Sequence, residues 1–208
     1  MKTLVILAGG KSSRMGHDKV LLETHGRTFI ERVFLNALEY FERVIISTDS
    51  PEHAEKVKQL PAFADTEPEI VTDLYEAAGP IGGIRTVFET CDVSRFAIIP
   101  VDVPFADMRV LAALYDRCRK KAVFLKIGDG RPEPLIAAYD RSGYEDVRAA
   151  QEAGLNKIRM AIAKEDTDIV TDCELKKQIP VLECLDFEKS FRNCNTPEEY
   201  KEMLMENK

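Results

Sequence analysis

The chain has 208 residues, of which 45% are hydrophobic and 31% charged, and its net charge is −7. This length favours one domain with a sizeable core, and the composition is that of an ordinary globular protein. The acidic balance argues against a general nucleic-acid-binding protein, which usually carries a basic face. No apolar run approaches the length of a membrane span, and the first residues lack a signal-peptide cleavage site. We therefore expect a cytoplasmic protein that binds neither nucleic acid nor a membrane.

The first predicted element is a strand over Thr3–Leu7, an unbroken apolar run typical of buried parallel sheets. Two glycines, Gly9 and Gly10, follow this strand, and two cations, Arg14 and Lys19, come shortly after. Glycine lets backbone N–H groups approach an anion closely, and the cations can neutralise phosphate charge. Because ligands of open α/β sheets bind beyond the carboxyl ends of the strands, the pattern predicts a triphosphate site here.

The glycine spacing excludes the two best-known phosphate loops. The pair Gly10 and Gly16 is followed by His17-Asp18 rather than by the Lys-Ser/Thr that ends a Walker A motif, and the Gly-x-Gly-x-x-Gly dinucleotide fingerprint is absent. A glycine pair alone is also typical of an ordinary turn with solvated cations. The phosphate-binding interpretation therefore depends on the rest of the chain.

Helices and strands then alternate. Apolar spacing predicts helices over residues 28–41, 51–59, 79–90 and 107–120, and apolar runs predict strands over residues 43–47, 69–72 and 96–101. This alternation is the βαβ pattern, which predicts a parallel sheet with helices on both faces. The five cysteines are odd in number and form no Cys-x-x-Cys pair, so we expect reduced thiols.

Two of the predicted strands end in an aspartate, Asp73 and Asp102. In a doubly wound sheet both carboxylates lie at the same edge as the glycine loop. Asp102 is well placed to hold Mg²⁺ against triphosphate oxygens, although an aspartate after a strand is more often a turn or N-cap residue. The three histidines, His17, His25 and His53, show no metal-ligand spacing and are predicted at the surface or in loops.

The pattern changes after residue 120. Strands over residues 122–127 and 135–139 flank a Gly-Asp-Gly turn and predict a hairpin or a nearby antiparallel pair. Further helices are predicted over residues 143–153, 157–163 and 197–206, the last capped by Thr196, and weak strands over residues 169–171 and 180–185. No repeat or linker divides the chain, so we expect a single domain over residues 1–208.

The string Leu-Ala-Gly-Gly-x-x-x-Arg-Met-Gly-x-Asp-Lys over residues 7–19 resembles the signature of nucleotidyltransferases that consume a nucleoside triphosphate and release pyrophosphate. Within them it is most similar to the molybdenum cofactor guanylyltransferases. The Asn-Cys-Asn-Thr-Pro-Glu-Glu ending over residues 193–199 resembles that family's Asn-x-Asn-Thr-Pro-Glu-Glu. The family's Pro-x-Asp-x-Pro stretch matches around Asp102, where Val101 stands in place of the usual cysteine. Gly79–Gly83 matches its Gly-Pro-Leu-Ala-Gly segment with two substitutions.

The resemblance implies a three-layer α/β/α, Rossmann-like nucleotidyltransferase domain with a mostly parallel sheet. It implies transfer of GMP from GTP to molybdopterin with Mg²⁺ as cofactor, and a molybdoenzyme or a chaperone as recipient of the product. Residues 1–120 would be the nucleotide-binding half and residues 121–208 the acceptor-binding half. The catalytic residues it implies are Arg14, Lys19 and Asp102, with Asp102 as the metal ligand. The ligand contacts it implies are Leu7, Ala8, Gly9, Gly10, Lys19, Asp73, Gly79, Gly82, Asp102, Asn193 and Asn195.

Three alternatives stay open at the level of sequence: a molybdopterin cytidylyltransferase, a sugar-phosphate nucleotidyltransferase and a non-catalytic nucleotide-binding regulator. Cytidylyl relatives tend to carry Leu-Ala-Ala-Gly at the first loop and to lack the Asn-x-Asn-Thr-Pro-Glu-Glu ending, so both features favour guanine. The cation pair together with Asp102 argues against a regulator without catalytic activity. The sequence indicates no oligomeric state.

Overall fold

The computed structural model describes residues 1–9, 19–64, 66, 68–75, 78–155 and 157–206, except for the side chains of Lys19 and Glu206. The strands in this part of the chain are β1 Thr3–Leu7, β2 Glu23–Thr24, β3 Arg27–Thr28, β4 Arg43–Thr48, β5 Glu69–Thr72, β6 Arg95–Pro100, β7 Ala122–Lys126, β8 Glu133–Asp140 and β9 Thr167–Thr171. The α-helices are α1 Phe29–Ala37, α2 Pro51–Lys58, α3 Pro80–Thr90, α4 Met108–Arg117, α5 Tyr144–Glu152, α6 Asp172–Gln178, α7 Phe187–Ser190 and α8 Pro197–Glu206.

The main sheet has seven strands in the order β5-β4-β1-β6-β8-β7-β9, and β2 and β3 form a separate two-stranded ribbon. β8 runs antiparallel to both of its neighbours, whereas every other pairing in the main sheet is parallel. All strands of the main sheet except β8 therefore end at one edge of that sheet. The chain order reverses direction beside β1, and such a switch point is where open α/β sheets bind ligands.

Both faces of the sheet are covered by helices. Alternate residues of β1 show the division, since Leu4 and Ile6 belong to one apolar cluster and Val5 to the other. The first cluster contains residues of α1, α2, α4, α6, α7 and α8, and the second contains residues of α3 and α5. The predicted three-layer α/β/α fold with a mostly parallel sheet is confirmed, as is the antiparallel pairing of β7 with β8.

Two predicted elements are wrong. Residues 180–185 do not form a strand, because Pro180 begins a 3₁₀ helix at Pro180–Leu182 and Asp186 then caps α7. Residues 157–163 form only a 3₁₀ turn at Ile158–Met160. The sequence analysis also missed the β2–β3 ribbon, which turns through His25 and Gly26 at φ values of 51° and 73°.

The last helix is tied to the start of the chain. Its predicted cap is present, since the Thr196 hydroxyl accepts from the Glu199 N–H at 3.2 Å. The Tyr200 hydroxyl donates to the Glu23 carbonyl at 2.5 Å, and its ring meets Phe29 edge-on at 6.0 Å. α8 therefore supports the ribbon that follows Lys19. Within the described residues no helix has the length and apolar character needed to cross a membrane, and the cysteines form no disulfide.

A buried capping box fixes the start of α1. The Thr28 hydroxyl accepts from the Glu31 N–H, and the Glu31 carboxylate accepts from the Thr28 N–H at 2.9 Å and the Ala62 N–H at 3.0 Å. Burial raises the pKa of Glu31, but these hydrogen bonds and the charge of Arg27 outweigh it, so the net pKa lies below its usual value. The charged carboxylate thus joins α1 to the turn at residues 61–63.

We expect Glu31→Gln to lower the free energy of unfolding by about 1–3 kcal/mol at neutral pH, because it weakens hydrogen bonds to a buried carboxylate. A pKa that is lowered on folding stabilises the protein above the unfolded-state pKa, and this contribution is lost as the pH falls through the folded-state value. The difference between variant and wild type should therefore shrink in acid. Urea unfolding at a series of pH values measures it.

The matched control is Glu174→Gln in the capping box of α6, where Thr171 and Glu174 repeat the same pattern on the exposed surface. Glu174→Gln should lower the free energy of unfolding by less than Glu31→Gln does, because solvent replaces the lost hydrogen bonds. Equal losses for the two variants would contradict the assignment.

Candidate functional site

The candidate site is the sheet edge where β1, β4, β5 and β6 end. Beyond β1, the Leu7 carbonyl accepts from the Val101 N–H at 3.0 Å, and the Ala8 N–H donates to the Ser47 carbonyl at 2.8 Å. The first polar groups beyond β1 are therefore already used to join it to both neighbouring strands. Contacts from this segment to a ligand have to come from its other backbone groups, beginning at Gly9.

Gly9 is required by packing at this edge. A Cβ atom on Gly9 would lie 2.9 Å from the backbone nitrogen of Asp49 and 3.0 Å from its Cβ. Leu7, Ala8 and Gly9 lie where the sequence predicts the nucleotide contacts. Gly10 and Arg14 lie outside the described residues, and so does the side chain of Lys19, whose backbone begins a 3₁₀ helix at Lys19–Leu21.

Asp73 follows β5 at the same edge. Its carboxylate accepts from the Ser47 hydroxyl at 2.7 Å. Burial raises the pKa of Asp73, the Ser47 hydrogen bond opposes this, and the nearby charge of Asp49 raises it further. A Cβ on Gly83 would lie 3.3 Å from the Asp73 Oδ1 atom, so this glycine allows α3 to approach the carboxylate closely.

The Gly-Pro-Ile-Gly-Gly segment builds the start of α3. Gly79 precedes the helix at φ 63°, in the left-handed region that favours glycine. A Cβ on Gly82 would lie 2.7 Å from the Cβ of Ala78, so a side chain there would displace the segment that joins Asp73 to the helix. Gly79 and Gly82 therefore lie at the predicted edge, where both shape the approach of α3.

Asp102 follows β6 in a half-buried turn, with its Oδ1 atom inaccessible to solvent. The backbone carbonyl of Asp102 accepts from the N–H of Cys194 at 2.9 Å. Cys194 is fully buried, whereas Asn193 on one side is exposed and Asn195 on the other is half-buried. The structure therefore brings the predicted acceptor residues Asn193 and Asn195 to the predicted metal ligand.

The sequence analysis missed a third aspartate at this edge. Asp49 follows β4, occupies the space that a Cβ on Gly9 would need, and has its Oδ1 atom 2.5 Å from the Nδ1 atom of His53 in the first turn of α2. His53 thus lies at the site, where the sequence analysis expected only a surface or loop position. A signal was present, since Asp49 comes two residues after the predicted strand over residues 43–47, close to a strand end as Asp73 and Asp102 are.

The described residues contain no cluster of three or more His, Cys, Asp or Glu side chains that could hold a metal ion. Magnesium does not need such a cluster, because it is usually held by one or two carboxylates together with substrate phosphates and water. A half-buried carboxylate at Asp102, next to the end of β1, fits that requirement. The residues present are thus compatible with a Mg²⁺ ion that binds with a triphosphate.

A separate cavity of about 390 Å³ lies beyond the ends of β7 and β9. Its charged lining is mostly acidic, with one lysine, and consists of Asp172, Lys176, Glu183, Asp186 and Glu188. This charge does not suit an anionic acceptor. The predicted acceptor residues Asn193 and Asn195 are not among the residues that line this cavity.

Comparison with known proteins identifies the family. A model described as the MobA-like NTP transferase domain matches residues 4–168, which is more than half of the chain. The chain belongs to the MobA-like NTP transferase family. As a member of this family it is an enzyme, a nucleotidyltransferase.

Curated relatives are similar in sequence over 70% to 98% of this chain. The chain is 28% identical over 208 residues to a probable molybdenum cofactor guanylyltransferase of Methanosarcina acetivorans, covering 98% of this chain and 90% of the relative. A Bacillus cereus protein of the same description is 34% identical over 150 residues, covering 70% of this chain and 71% of the relative. The solved structure of Molybdopterin-guanine dinucleotide biosynthesis protein A from Archaeoglobus fulgidus superposes with a TM-score of 0.80 at 25% identity, covering 99% of this chain and 98% of the other.

We expect Asp73→Asn to raise the free energy of unfolding at neutral pH. A carboxyl group whose pKa is raised on folding stabilises the protein fully only below its unfolded-state pKa, and that stability is lost as the pH rises through the folded-state value. The neutral amide removes this loss and still accepts from the Ser47 hydroxyl. Thermal unfolding of both proteins between pH 3 and pH 8 measures the change.

The gain in the free energy of unfolding of Asp73→Asn should be present at pH 7 and vanish at the acidic end of the series. Asp92→Asn, at an exposed position, is the control and should leave the stability unchanged. A variant that is less stable than wild type at pH 7 would show that the Asp73 charge is a net stabilising group.

Proposed function

We propose that this enzyme transfers GMP from GTP to molybdopterin, releasing pyrophosphate and forming a guanine dinucleotide cofactor. One observation carries the proposal. The Asp102 turn is hydrogen-bonded to the end of β1 through the neighbouring Val101 N–H, and to the Asn193–Asn195 segment through the N–H of Cys194. The segment expected to bind the donor nucleotide and the segment expected to bind the acceptor therefore meet at one carboxylate. The similarity to guanylyltransferases over nearly the full length supports the same reaction.

Donor binding involves the ends of β1, β4 and β5, which are followed by Gly9, Asp49 and Asp73. Backbone N–H groups at Gly9 and Gly10 contact the phosphates, while Arg14 and Lys19 stabilise the charge that grows on the leaving pyrophosphate. Asp73 contacts the nucleoside. Asp49 and Asp73 are both acceptors, which suits guanine because its N1 and N2 atoms are donors.

The reaction is a displacement at the α-phosphorus of GTP. An oxygen of the molybdopterin phosphate forms a new bond to the α-phosphorus, and the bond from that phosphorus to the bridging oxygen of the β-phosphate breaks. The electron pair of the broken bond leaves with pyrophosphate. No side-chain base is required, because the attacking phosphate is already ionised at neutral pH, and positioning supplies much of the rate.

Asp102 is the residue that would hold Mg²⁺. A magnesium ion bound with the triphosphate supplies charge neutralisation at the phosphate oxygens. Asn193 and Asn195 offer amide donors and acceptors that suit a pterin edge or a phosphate on the acceptor. A molybdoenzyme or a chaperone that receives the finished cofactor completes the set of partners we propose.

We expect the enzyme to use GTP at least about a hundredfold better than ATP or CTP, measured as kcat/KM. A mismatched base leaves buried polar groups without partners at about 1–3 kcal/mol each, and two such groups give this factor. Pyrophosphate release in mixtures of the triphosphates with molybdopterin measures the preference. Equal use of CTP would place the enzyme among cytidylyltransferases, and a preference for ATP or UTP would contradict the guanylyl assignment.

We expect Asp102→Asn to reduce kcat/KM by about a hundredfold or more while the fold is retained. The loss of a metal-binding carboxylate removes several kcal/mol of transition-state stabilisation. The control is Asp116→Asn in α4, a half-exposed aspartate whose carboxylate pairs with Lys2 at 2.6 Å. It should keep normal activity. Near-normal turnover of Asp102→Asn at ordinary magnesium concentration would rule out the metal assignment.

A further inference from the structure

A second charged cluster lies behind the nucleotide edge, and the proposed reaction makes no use of it. At its centre is Arg85 on α3, whose residue is only 8% exposed. Its guanidinium carbon stacks 4.2 Å from the centre of the Tyr75 ring. The Arg85 Nε atom donates to a carboxylate oxygen of Glu89 at 2.8 Å. The Glu89 carboxylate also accepts from the Tyr75 hydroxyl at 2.6 Å.

The cluster extends to α5. An Arg85 Nη1 atom donates to the Gln151 side chain at 2.5 Å, and Nη2 lies 3.2 Å from a Glu152 carboxylate oxygen. Tyr144 donates from its hydroxyl to Glu89 at 2.9 Å. The guanidinium therefore has fixed partners on two helices, which leaves one planar face to hold the Tyr75 ring.

Tyr75 stands two positions after Asp73, on the segment that leads from β5 to α3. The intervening Leu74 is exposed, and its N–H donates to the Thr86 hydroxyl on α3 at 3.0 Å. Since Asp73 is itself partly buried and has a raised pKa, its carboxylate does not keep this position by solvation alone. Ser47 holds the carboxylate from the side of β4, and the Leu74 N–H joins the segment that follows it to α3.

We propose that Arg85 is a positioning residue for nucleotide binding: it clamps Tyr75 and so holds the Asp73 carboxylate at the nucleotide edge. The proposal rests on the proposed function in that Asp73 is taken to contact the nucleoside. Arg85 touches no substrate in this arrangement. A purely structural ion-pair cluster would affect stability but leave triphosphate affinity unchanged, which makes the two roles distinguishable.

The test compares Arg85→Met with Arg95→Met. Arg95 is a matched control, because it also pairs with a carboxylate, Asp140 at 3.1 Å, and lies over a tyrosine ring, Tyr115 at 5.7 Å, but at the opposite end of β6. Direct titration with GTP should show binding weakened by about tenfold or more in Arg85→Met, since small displacements of a positioning group have large effects. Arg95→Met should stay within about twofold of wild type, since additivity holds for distant sites.

Tyr75 variants test the clamp itself. Tyr75→Phe keeps the ring and should bind GTP nearly as well as wild type, whereas Tyr75→Leu should weaken binding as Arg85→Met does. The double variant should be no weaker than about the worse single variant, because both substitutions break one contact. Tyr75→Leu also carries the test if Arg85→Met does not fold.

A second measurement does not depend on nucleotide binding. Amide hydrogen exchange at Leu74 and Tyr75 should become faster in Arg85→Met and stay unchanged in Arg95→Met. Unchanged exchange together with wild-type GTP affinity in Arg85→Met overturns the proposal, and so does equal weakening in Arg95→Met.

Failure of the proposed function would show separately. A wild-type enzyme that consumes another triphosphate contradicts the guanylyl assignment, and the titrations are then made with that triphosphate, where the comparison of Arg85 with Arg95 still decides. A wild-type protein that binds no nucleoside triphosphate overturns both proposals.

Discussion

The pairing of β1 with its two parallel neighbours is the interaction on which the site depends. β1 is hydrogen-bonded to β4 on one side and β6 on the other, and both pairings continue one step past the strand, at Ala8 and Val101. Parallel pairing places the ends of these strands side by side, so residues far apart in sequence share one edge. Gly9 makes this continuation possible, because any side chain would collide with the segment after β4.

Much of the fold could be predicted from the sequence, because the strongest patterns in the sequence come from the burial of apolar side chains. The strands of the first half are short apolar runs and the helices between them have one apolar face, so both patterns follow directly from packing in three layers. The predictions failed where local chemistry outweighed apolar character. Residues 180–185 include enough apolar side chains for a strand, but a proline start and an Asp186 cap favour helical turns. A Thr-x-x-Glu capping box at Thr171 predicts α6 and was overlooked.

The candidate site was predictable in its parts and less so in its connections. Asp73 and Asp102 could be singled out because a carboxylate at the end of a buried strand has to be hydrogen-bonded, paired or bound to a ligand. Asp49 obeys the same rule, and its contact with His53 is local, because the two residues are four apart in the chain. The hydrogen bond from Cys194 to Asp102, by contrast, joins residues distant in sequence. Such pairings depend on tertiary packing, which single-sequence patterns do not encode.

The attachment of the last helix has a consequence for biogenesis. The ribbon after Lys19 is held by Tyr200, which is 177 residues away from its partner Glu23 in the chain, and the Asp102 turn is held by Cys194. During translation the central sheet can begin to assemble from the emerging chain, because its first strands are close in sequence. Both sides of the candidate site, however, lack these supports until Cys194 and Tyr200 have emerged from the ribosome. A nascent chain therefore lacks both supports of the candidate site until these residues have been made, even where the central sheet has already formed.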